Sequence, residues 1–590
     1  MFTAIYVKAG KEMERQVNII ETKTKRPTVE VILADGRVLC GPRGTTVGEF
    51  VKAITDEEHD TVVGAIVNGE LRELTYRIEM DANVRLVKTR DADGARIYRR
   101  SLTFLLEAAF DDMFPTATLI VDHSVASGGY YCHVQGRPPL DEVELEILHD
   151  HMRELVKADL PFEKRRVPLE EAVEFFEQHG DMDKVALMRY RQKDHLILYR
   201  LGDHQDYHHG YMVPSTGYLL WFDLAPLDEG FILRFPQRSA STELHPLPES
   251  PKLIATFRQY GHWLMRMGIG SVAALNDAIV SGRVREIILV SEALHEQKIA
   301  EIAAQITAQS KEARIILISG PSSSGKTTFA KRLTVQLLVQ GISPFAIELD
   351  NYFVDRAKTP RDAEGQYDYE SIDALNTALL SEHLRMLIDG QEILMPRYNF
   401  KTGMSVNGEV VRLEKGQLII LEGIHGLNPK LAPEIPNEQT IRLYVSCLTQ
   451  LNLDSQNRIS TTDTRLLRRI VRDARERGYS AQQTIRRWES VRRGEKNWIF
   501  PYQNNADEMF NSALVYELSA LKPLAEPLLR QAQHGTSEYI EAKRLLAFLE
   551  WFLPLDAELI PDNSILREFT GGSILREFKV WDSPSRLLEM

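Results

Sequence analysis

Three cysteines in 590 residues, Cys40, Cys132 and Cys447, are too few and too scattered for a disulfide framework or a cysteine zinc cluster. They read as thiols of a reducing compartment. No apolar run reaches the length of a membrane span. The opening stretch, MFTAIYVKAGKEMER, brings in charge before an apolar core of signal-peptide length can form, so the sequence predicts a cytoplasmic chain without a membrane partner. A basic excess is missing too. With 71 Lys and Arg against 84 Asp and Glu the net charge is −13, which argues against a nonspecific nucleic-acid binder and leaves only a local basic patch. Histidine does not fill the gap with a metal site. His208 and His209 are adjacent and diverge, and His149 and His151 do not share a helical face.

What is present is length. A chain this long exceeds one core, and about three to five domains is the natural number. The most informative stretch is RIILISGPSSSGKTTFAK, Arg314 to Lys331. Ile315 to Ile318 read as a buried strand. Gly320 to Thr327 then fits G-x-x-x-x-G-K-[ST] at every fixed position, which random sequence of this length would match with a probability of about 0.02. Phe329, Ala330, Leu333 and Leu337 next trace one face of a helix. The glycines let backbone N–H groups turn toward phosphate oxygens at a positive helix N-terminus. Lys326 suits β/γ-phosphates and Thr327 suits Mg²⁺. The pattern predicts a nucleoside triphosphate site.

Two carboxylates follow at strand ends. Ser343 to Leu349 reads as a strand ending at Asp350-Asn351-Tyr352-Phe353, and Leu418 to Leu421 as another running into Glu422-Gly423. Such positions lie where ligands bind in open α/β sheets, although a strand-end carboxylate can also serve as a cap. Farther on, Arg465, Arg468, Arg469 and Arg472 share one helical face, with Leu466, Ile470 and Asp473 directed elsewhere. Guanidinium forks on one face suit a phosphate in transfer; a solvated helix paired to Asp473 and Glu476 is the alternative.

Taken in order, GPSSSGKTT, Asp350-Asn-Tyr-Phe, GQYDYESIDALN, MPRYNF, ILEGIHGL and the arginine segment resemble the uridine kinase and phosphoribulokinase family of P-loop kinases, over about 311 to 525. The resemblance implies an ATP-dependent kinase using Mg²⁺. It makes Asp350 the base that takes a proton from a 5′-hydroxyl and gives Mg²⁺ to Thr327, Asp350 and Glu422. Gly320, Pro321, Ser322, Ser323, Ser324, Gly325, Lys326, Thr327, Thr328 and Arg477 become the nucleotide contacts. Arg469 and Arg472 act with Lys326 on the phosphates, and Tyr352, Glu370, Tyr398 and Arg469 face the acceptor. Three departures concern that acceptor: Gly403 or a neighbour where the family's pyrimidine nucleoside kinases carry a base-contacting His, Tyr479 at a lid position that is commonly Arg, and Glu370 for the usual Asp.

The amino-terminal half carries other resemblances. Thr28 to Leu33, an Asp35-Gly36 turn and Ile66 to Leu71 are similar to a TGS domain, a small β-grasp module, over 27–90. Residues 91–245, through Gly202-Asp203, Val213-Pro-Ser-Thr-Gly217 and Ser101-x-x-x-Leu105-Leu106, resemble the α+β editing domain of threonyl-tRNA synthetases. That family's four hydrolytic positions fall here on Arg100, Phe104, His208 and Met212. Phe and Met are neither metal ligands nor bases at such a site, so neither editing chemistry nor stoichiometric zinc is expected.

The expected organisation is therefore α/β: an N-terminal extension (1–26), the TGS and degenerate editing-like domains, a helical connector (246–310), a P-loop NTPase-type parallel-sheet kinase domain (311–525), and a helical segment with tail (526–590). The tail holds a repeat, SILREF at 564–569 and again at 573–578, too short for a solenoid. Uridine-kinase-like phosphorylation of a nucleoside is the leading reading. A kinase of another sugar or alcohol, and an RNA-binding regulatory ATPase, are the rivals. RNA bound by the amino-terminal half and homo-oligomers are further expectations.

Overall fold

Along the strand Ile315–Ser319 every residue is buried, with even and odd positions entering different cores. Ile316 and Ile318 pack toward the helix Lys326–Val339, whose Phe329, Leu333 and Leu337 are fully buried. Ile315 and Leu317 pack on the opposite face with Leu380 and Leu384 of the helix Thr377–Ile388. Burial on both faces is what a parallel sheet demands. The sheet has five strands in the order Pro344–Glu348, Leu418–Glu422, Ile315–Ser319, Thr440–Ser446 and Glu508–Asn511, each neighbouring pair parallel. The strand entering the P-loop is thus central, with both acidic strands on one side.

This computed structural model describes residues 26–578 apart from 55–60, 126–127, 247–250, 311, 363–364, 400, 415 and 450. Residues 1–25 of the expected N-terminal extension, Phe400 of MPRYNF and the end of the tail lie outside the described residues.

The amino-terminal module is a five-stranded sheet. Thr28–Leu33 turns back on Val38–Pro42 and runs parallel to Ala82–Lys88, which pairs antiparallel with Val62–Val67. Asn68 and Gly69, with φ of 50° and 83°, make the tight hairpin into Glu70–Arg72. The editing-like domain combines the long helix Ala92–Met113, a four-stranded antiparallel sheet and a three-stranded one made of Glu163–Pro168, His195–Leu201 and His204–Asp206.

Its apolar residues divide between two cores. Phe104, Phe110, Leu148 and Phe231 form one. Phe176, Leu196, Leu198 and Tyr207 join the connector helices, the P-loop helix and the carboxyl-terminal helices in the other. The connector itself is three helices, Pro251–Arg266, Val272–Val280 and Val284–Gln309; the last ion-pairs Arg332 of the P-loop helix through Glu292 and Glu296. No described helix is long and apolar enough to cross a membrane.

Candidate active site

The P-loop is held from behind by residues far away in sequence. Arg465 and Arg468, both fully buried on the helix Thr461–Glu476, reach its carbonyls: Arg465 Nε donates to Ser322 O at 2.9 Å and an Arg468 Nη to Ser323 O at 3.5 Å. Glu495, also fully buried, accepts the Ser322 N–H at 3.0 Å and ion-pairs with Arg465 and Arg492. Glu517 neutralises Arg468 at 2.6 Å. The glycines are sterically required: a Cβ on Gly320 would lie 1.9 Å from Val445 O, and Gly325 (φ +84°) caps the helix start. Ser323 adopts φ 59°, left-handed backbone without being glycine, as in loops whose surroundings over-determine them.

This divides the arginine face. Arg465 and Arg468, expected among a row aimed at phosphate, instead bracket the loop, because burial forces each to find acceptors and a carboxylate. Arg469 and Arg472 stay half-buried at the front, with an Arg469 Nη donating to Ser322 Oγ at 2.7 Å. Asp473, expected off this face, is 2% exposed and gathers Arg469, Arg472 and Arg477 at 3.3, 3.6 and 3.3 Å. Spacings of four place Asp473 beside Arg469 and Arg477 on the helix surface.

In front of the loop Lys326, 8% exposed, donates to Pro321 O at 3.2 Å, and the Thr327 hydroxyl donates to Glu422 Oε2 at 3.1 Å. Burial pushes the Glu422 carboxyl up to about 7 against the pull of Lys326, with Asp350, Glu568 and Glu348 pushing the same way. The Asp350 carboxyl is raised too, by the protein mass around it and then by Glu348, although the residue as a whole is exposed at the cleft mouth. Burial lowers the Lys326 ammonium. Mutually repelling carboxylates beside a threonine hydroxyl are a donor set that a hard divalent cation satisfies, so these residues fit Mg²⁺. The buried, unpartnered Ser323 and Ser324 hydroxyls and the glycine cradle fit a polyphosphate.

The expected acceptor residues separate. Tyr352 is a correction: it is 1% exposed and hydrogen-bonded to His383 Nδ1 at 3.1 Å inside the core. It ends the 3-10 turn Leu349–Tyr352, where residues two apart diverge by about 120°. Asp350 therefore faces the cleft while Tyr352 faces inward. Glu370 lies in the field of Arg469, Lys326 and Asp350, its carboxyl raised chiefly by burial. It packs so tightly on the helix Ala481–Trp498 that a Cβ on Gly494 would come within 2.2 Å of it. Tyr398 joins Phe353, at 5.5 Å between ring centroids, in a wall with Tyr369 and Arg356. Sequence reasoning missed Arg356, whose side chain fills the space above Gly403 to within 2.7 Å of an added Cβ. Tyr479 lies under the Arg487 guanidinium, 4.2 Å from the ring centroid.

Sequence reasoning also left the first SILREF copy without a role. Ser564, Ile565, Leu566 and Phe569 are fully buried, whereas Ile574 of the second copy is 66% exposed. Ile565 closes on Gly325, 2.5 Å from where a Cβ would stand. The Thr328 N–H and hydroxyl donate to Glu568 Oε2 at 3.3 and 2.9 Å. A carboxylate thus occupies the helix N-terminus, where a phosphate is expected. Arg472 at 3.6 Å from Glu568 and Arg475, bonded to the 568 and 569 carbonyls, hold the segment.

In the amino-terminal half, the four editing positions do converge. The His208 ring stacks edge-on against Phe104 at 5.4 Å and its Nε2 meets Glu107 Oε2 at 2.8 Å; Met212 Sδ accepts from Ser101 Oγ, and Arg100 donates to Tyr211 O at 2.7 Å. Glu107, Asp206 and His208 bring one ligand atom each within 4.8 Å of the others, a cluster the sequence did not reveal. Each is already engaged: Asp206 by Lys184, and Glu107 by His208 and His204. His149 and His151 turn to different acids, Asp223 and Asp112.

A central P-loop strand, two strand-end acids and an arginine helix against the loop define a P-loop kinase-type domain. Comparison agrees: residues 315–518 match the phosphoribulokinase / uridine kinase family model, and residues 29–88 match the TGS domain. The amino-terminal region is homologous to threonyl-tRNA synthetase. The chain is 32% identical over 192 residues to a threonine–tRNA ligase of Desulforamulus reducens and 34% over 195 residues to one of Methylococcus capsulatus. These matches cover 32% and 33% of this chain, and it spans about 30% of the length of those relatives. A solved chain described as "a Possible Uridine Kinase from Bacillus stearothermophilus" is 21% identical, with a TM-score of 0.26, covering 36% of this chain and 98% of its own.

Proposed function

We propose that the chain is an ATP-dependent kinase that phosphorylates the 5′-hydroxyl of a nucleoside, acting in the cytoplasm. The observation that carries this reading is one cleft holding Lys326, Thr327, Glu422 and Asp350 at the P-loop, with Arg469 and Arg472 opposite. Asp350, at the cleft mouth, takes the proton as the hydroxyl oxygen attacks the γ-phosphorus and the β–γ bridging bond breaks. Lys326 and the arginines meet the charge that spreads over the phosphoryl oxygens. Thr327, Glu422 and Asp350 would hold Mg²⁺, directly or through water, and the ion would supply charge neutralisation. Little else is needed, because this transfer depends on positioning and electrostatics.

The acceptor site combines a carboxylate, Glu370, with the aromatic wall of Phe353, Tyr369 and Tyr398. A carboxylate grips a ribose diol. The space above Gly403 is filled by Arg356, so base discrimination rests on few buried polar groups and is weaker than in a dedicated pyrimidine nucleoside kinase. Uridine and cytidine are the leading acceptors. The test is kcat/KM for uridine, cytidine, purine nucleosides and free sugars, with product mass determined. A uridine preference above about 10³ over every purine nucleoside would end the relaxed-pocket argument. Turnover of sugars alone would make this a non-nucleoside kinase, and RNA-stimulated ATP hydrolysis without a phosphorylated product would make it a regulatory ATPase.

A further inference from the structure

Between the editing-like domain and the kinase half lie two cavities of about 350 Å³ each, which share Arg96, Arg100, His208, His209 and Arg544 in their walls. The one nearer the kinase is lined by seven arginines and only three carboxylates. Four of these arginines are neutralised: Arg96 by Glu541 at 3.0 Å, Arg238 by Glu489 at 2.8 Å, Arg492 by Glu495 at 2.8 Å and Arg544 by Asp463 at 2.7 Å. Arg99, Arg100 and Arg458 have no carboxylate within ion-pair distance among the described residues. Arg99 donates to Ala95 O at 2.9 Å, Arg100 to Tyr211 O at 2.7 Å, and Arg458 lies 4.7 Å over the Tyr130 ring. The buried Arg458 Nε has no acceptor, nor has the indole N–H of Trp488, a residue 7% exposed that lines the same cavity.

A second feature adds positive potential there. The helix Thr461–Glu476 begins in this cavity, where Ser460 and Thr462 are wall residues, and its N-cap Ser460 caps no amide with its side chain. In the first turn the Asp463 N–H donates to Ser460 O at 2.9 Å and the Asp463 carboxylate is taken by Arg544, which leaves the Thr461 and Thr462 N–H groups to face the cavity. Against the effect of burial, the half-buried Tyr130 hydroxyl is made more acidic by Arg99, by Arg458, which also hydrogen-bonds it, and by Arg100, while burial brings Arg100 down to about 10. Arg99, Arg100 and Arg458 are half-buried, and guanidinium groups partly withdrawn from water without counter-charge carry a desolvation cost that an anion offsets. Planar forks and a helix N-terminus match phosphate oxygens, and the volume falls in the range of small-ligand sites.

We infer that this cavity is a second, non-catalytic site for a phosphate-bearing small molecule of nucleotide size, held by Arg99, Arg100 and Arg458 at the N-terminus of the 461–476 helix. It stands apart from the P-loop and does not depend on what the kinase phosphorylates. The test is calorimetric titration of full-length Lys326→Ala protein with pyrophosphate and with uridine 5′-monophosphate, alone and with Arg99→Gln/Arg458→Gln added. The expected result is saturable binding of at least one probe, weakened tenfold or more by the added pair. Where the double variant melts early, Arg99→Lys/Arg458→Lys replaces it; it keeps charge, loses the forks, and should bind about threefold to tenfold more weakly. Binding of neither probe at millimolar concentration, or affinity unchanged by the substitutions, overturns the proposal. So does binding of short single-stranded RNA through these arginines while both small probes fail.

Discussion

At the scale of single residues, the kinase reading rests on two carboxylates with different tasks. If Asp350 takes the hydroxyl proton, Asp350→Asn should lower kcat by about 10²–10⁴ while ATP affinity changes little. Near-normal turnover in steady-state assays of that variant would remove Asp350 from the base role. Glu422 makes a different prediction, about pH. Burial, Asp350, Glu568 and Glu348 hold its carboxyl up at about 7, so it is largely protonated at pH 6. Mg²⁺ needs the ionised form. Apparent Mg²⁺ affinity should thus rise with pH below about 7, by up to tenfold per unit, and level off above it. Proton release on Mg²⁺ addition, read at pH 6 and pH 8, should be larger at pH 6. Equal release at both, or a flat pH profile, would show that Glu422 does not gate the metal.

At the scale of elements, the P-loop strand, turn and helix were legible because their signals are local: fixed glycines, a four-residue apolar run and a 3.6-residue stripe. What the sequence hid is what grips the loop. Glu495, Arg465 and Arg468 meet Ser322 and Ser323 across more than 140 positions of chain, and nothing in an arginine-rich helix says which guanidinium groups face inward. Tyr352 was misplaced for a similar reason, since the 3-10 turn that separates it from Asp350 has no sequence marker. The 564–569 segment, visible only as half of a repeat, is the largest of these hidden elements. Glu568 accepts the Thr328 N–H and Ile565 packs on Gly325, so a phosphate at the helix N-terminus competes with the Glu568 carboxylate for that donor. A protein whose competent state is a fraction f of the population binds with its Kd divided by f. Glu568→Gln, which keeps the shape and removes the charge, should therefore tighten ATP binding about threefold to tenfold without raising kcat comparably. Unchanged or weaker ATP affinity, measured by titration calorimetry, would mean that the segment supports the site instead of competing for it.

At the scale of the molecule, the synthetase-like half is built into the kinase. Val167, Phe176, Val185, Leu187, Met188, Leu196, Leu198 and Tyr207, each 4% exposed or less, lie in one core with the P-loop helix and the carboxyl-terminal helices. Polar bonds cross the same boundary. Tyr207 donates to Asp454, Ser455 donates to Asp183 at 2.7 Å, and Asn452 Nδ2 reaches the Val121 carbonyl at 3.2 Å. Burying eight such side chains is worth about 12–24 kcal/mol as an upper bound, comparable to or larger than the whole net stability of a domain. The kinase sequence cannot discard that surface and remain compact. A fragment starting at residue 246 should therefore aggregate or melt far below the intact protein, and residues 163–578 should unfold as one cooperative transition in the calorimeter. The TGS sheet has a core of its own in Val29, Val31, Val47 and Phe50, but Val63 joins the editing-like core and Ile66 and Val87 pack with Ile540. Lys184→Met probes the same coupling inside the intact chain. It leaves Asp206, otherwise paired with Lys184 in the interior, without its partner, and the cost should be about 3–5 kcal/mol, felt by the kinase as well. Loss of ATP turnover should track the Lys184→Met melting curve, although Lys184 lies outside the catalytic cleft. A 246–590 fragment that melts like the full chain and retains its kcat would show that the two halves are merely tethered.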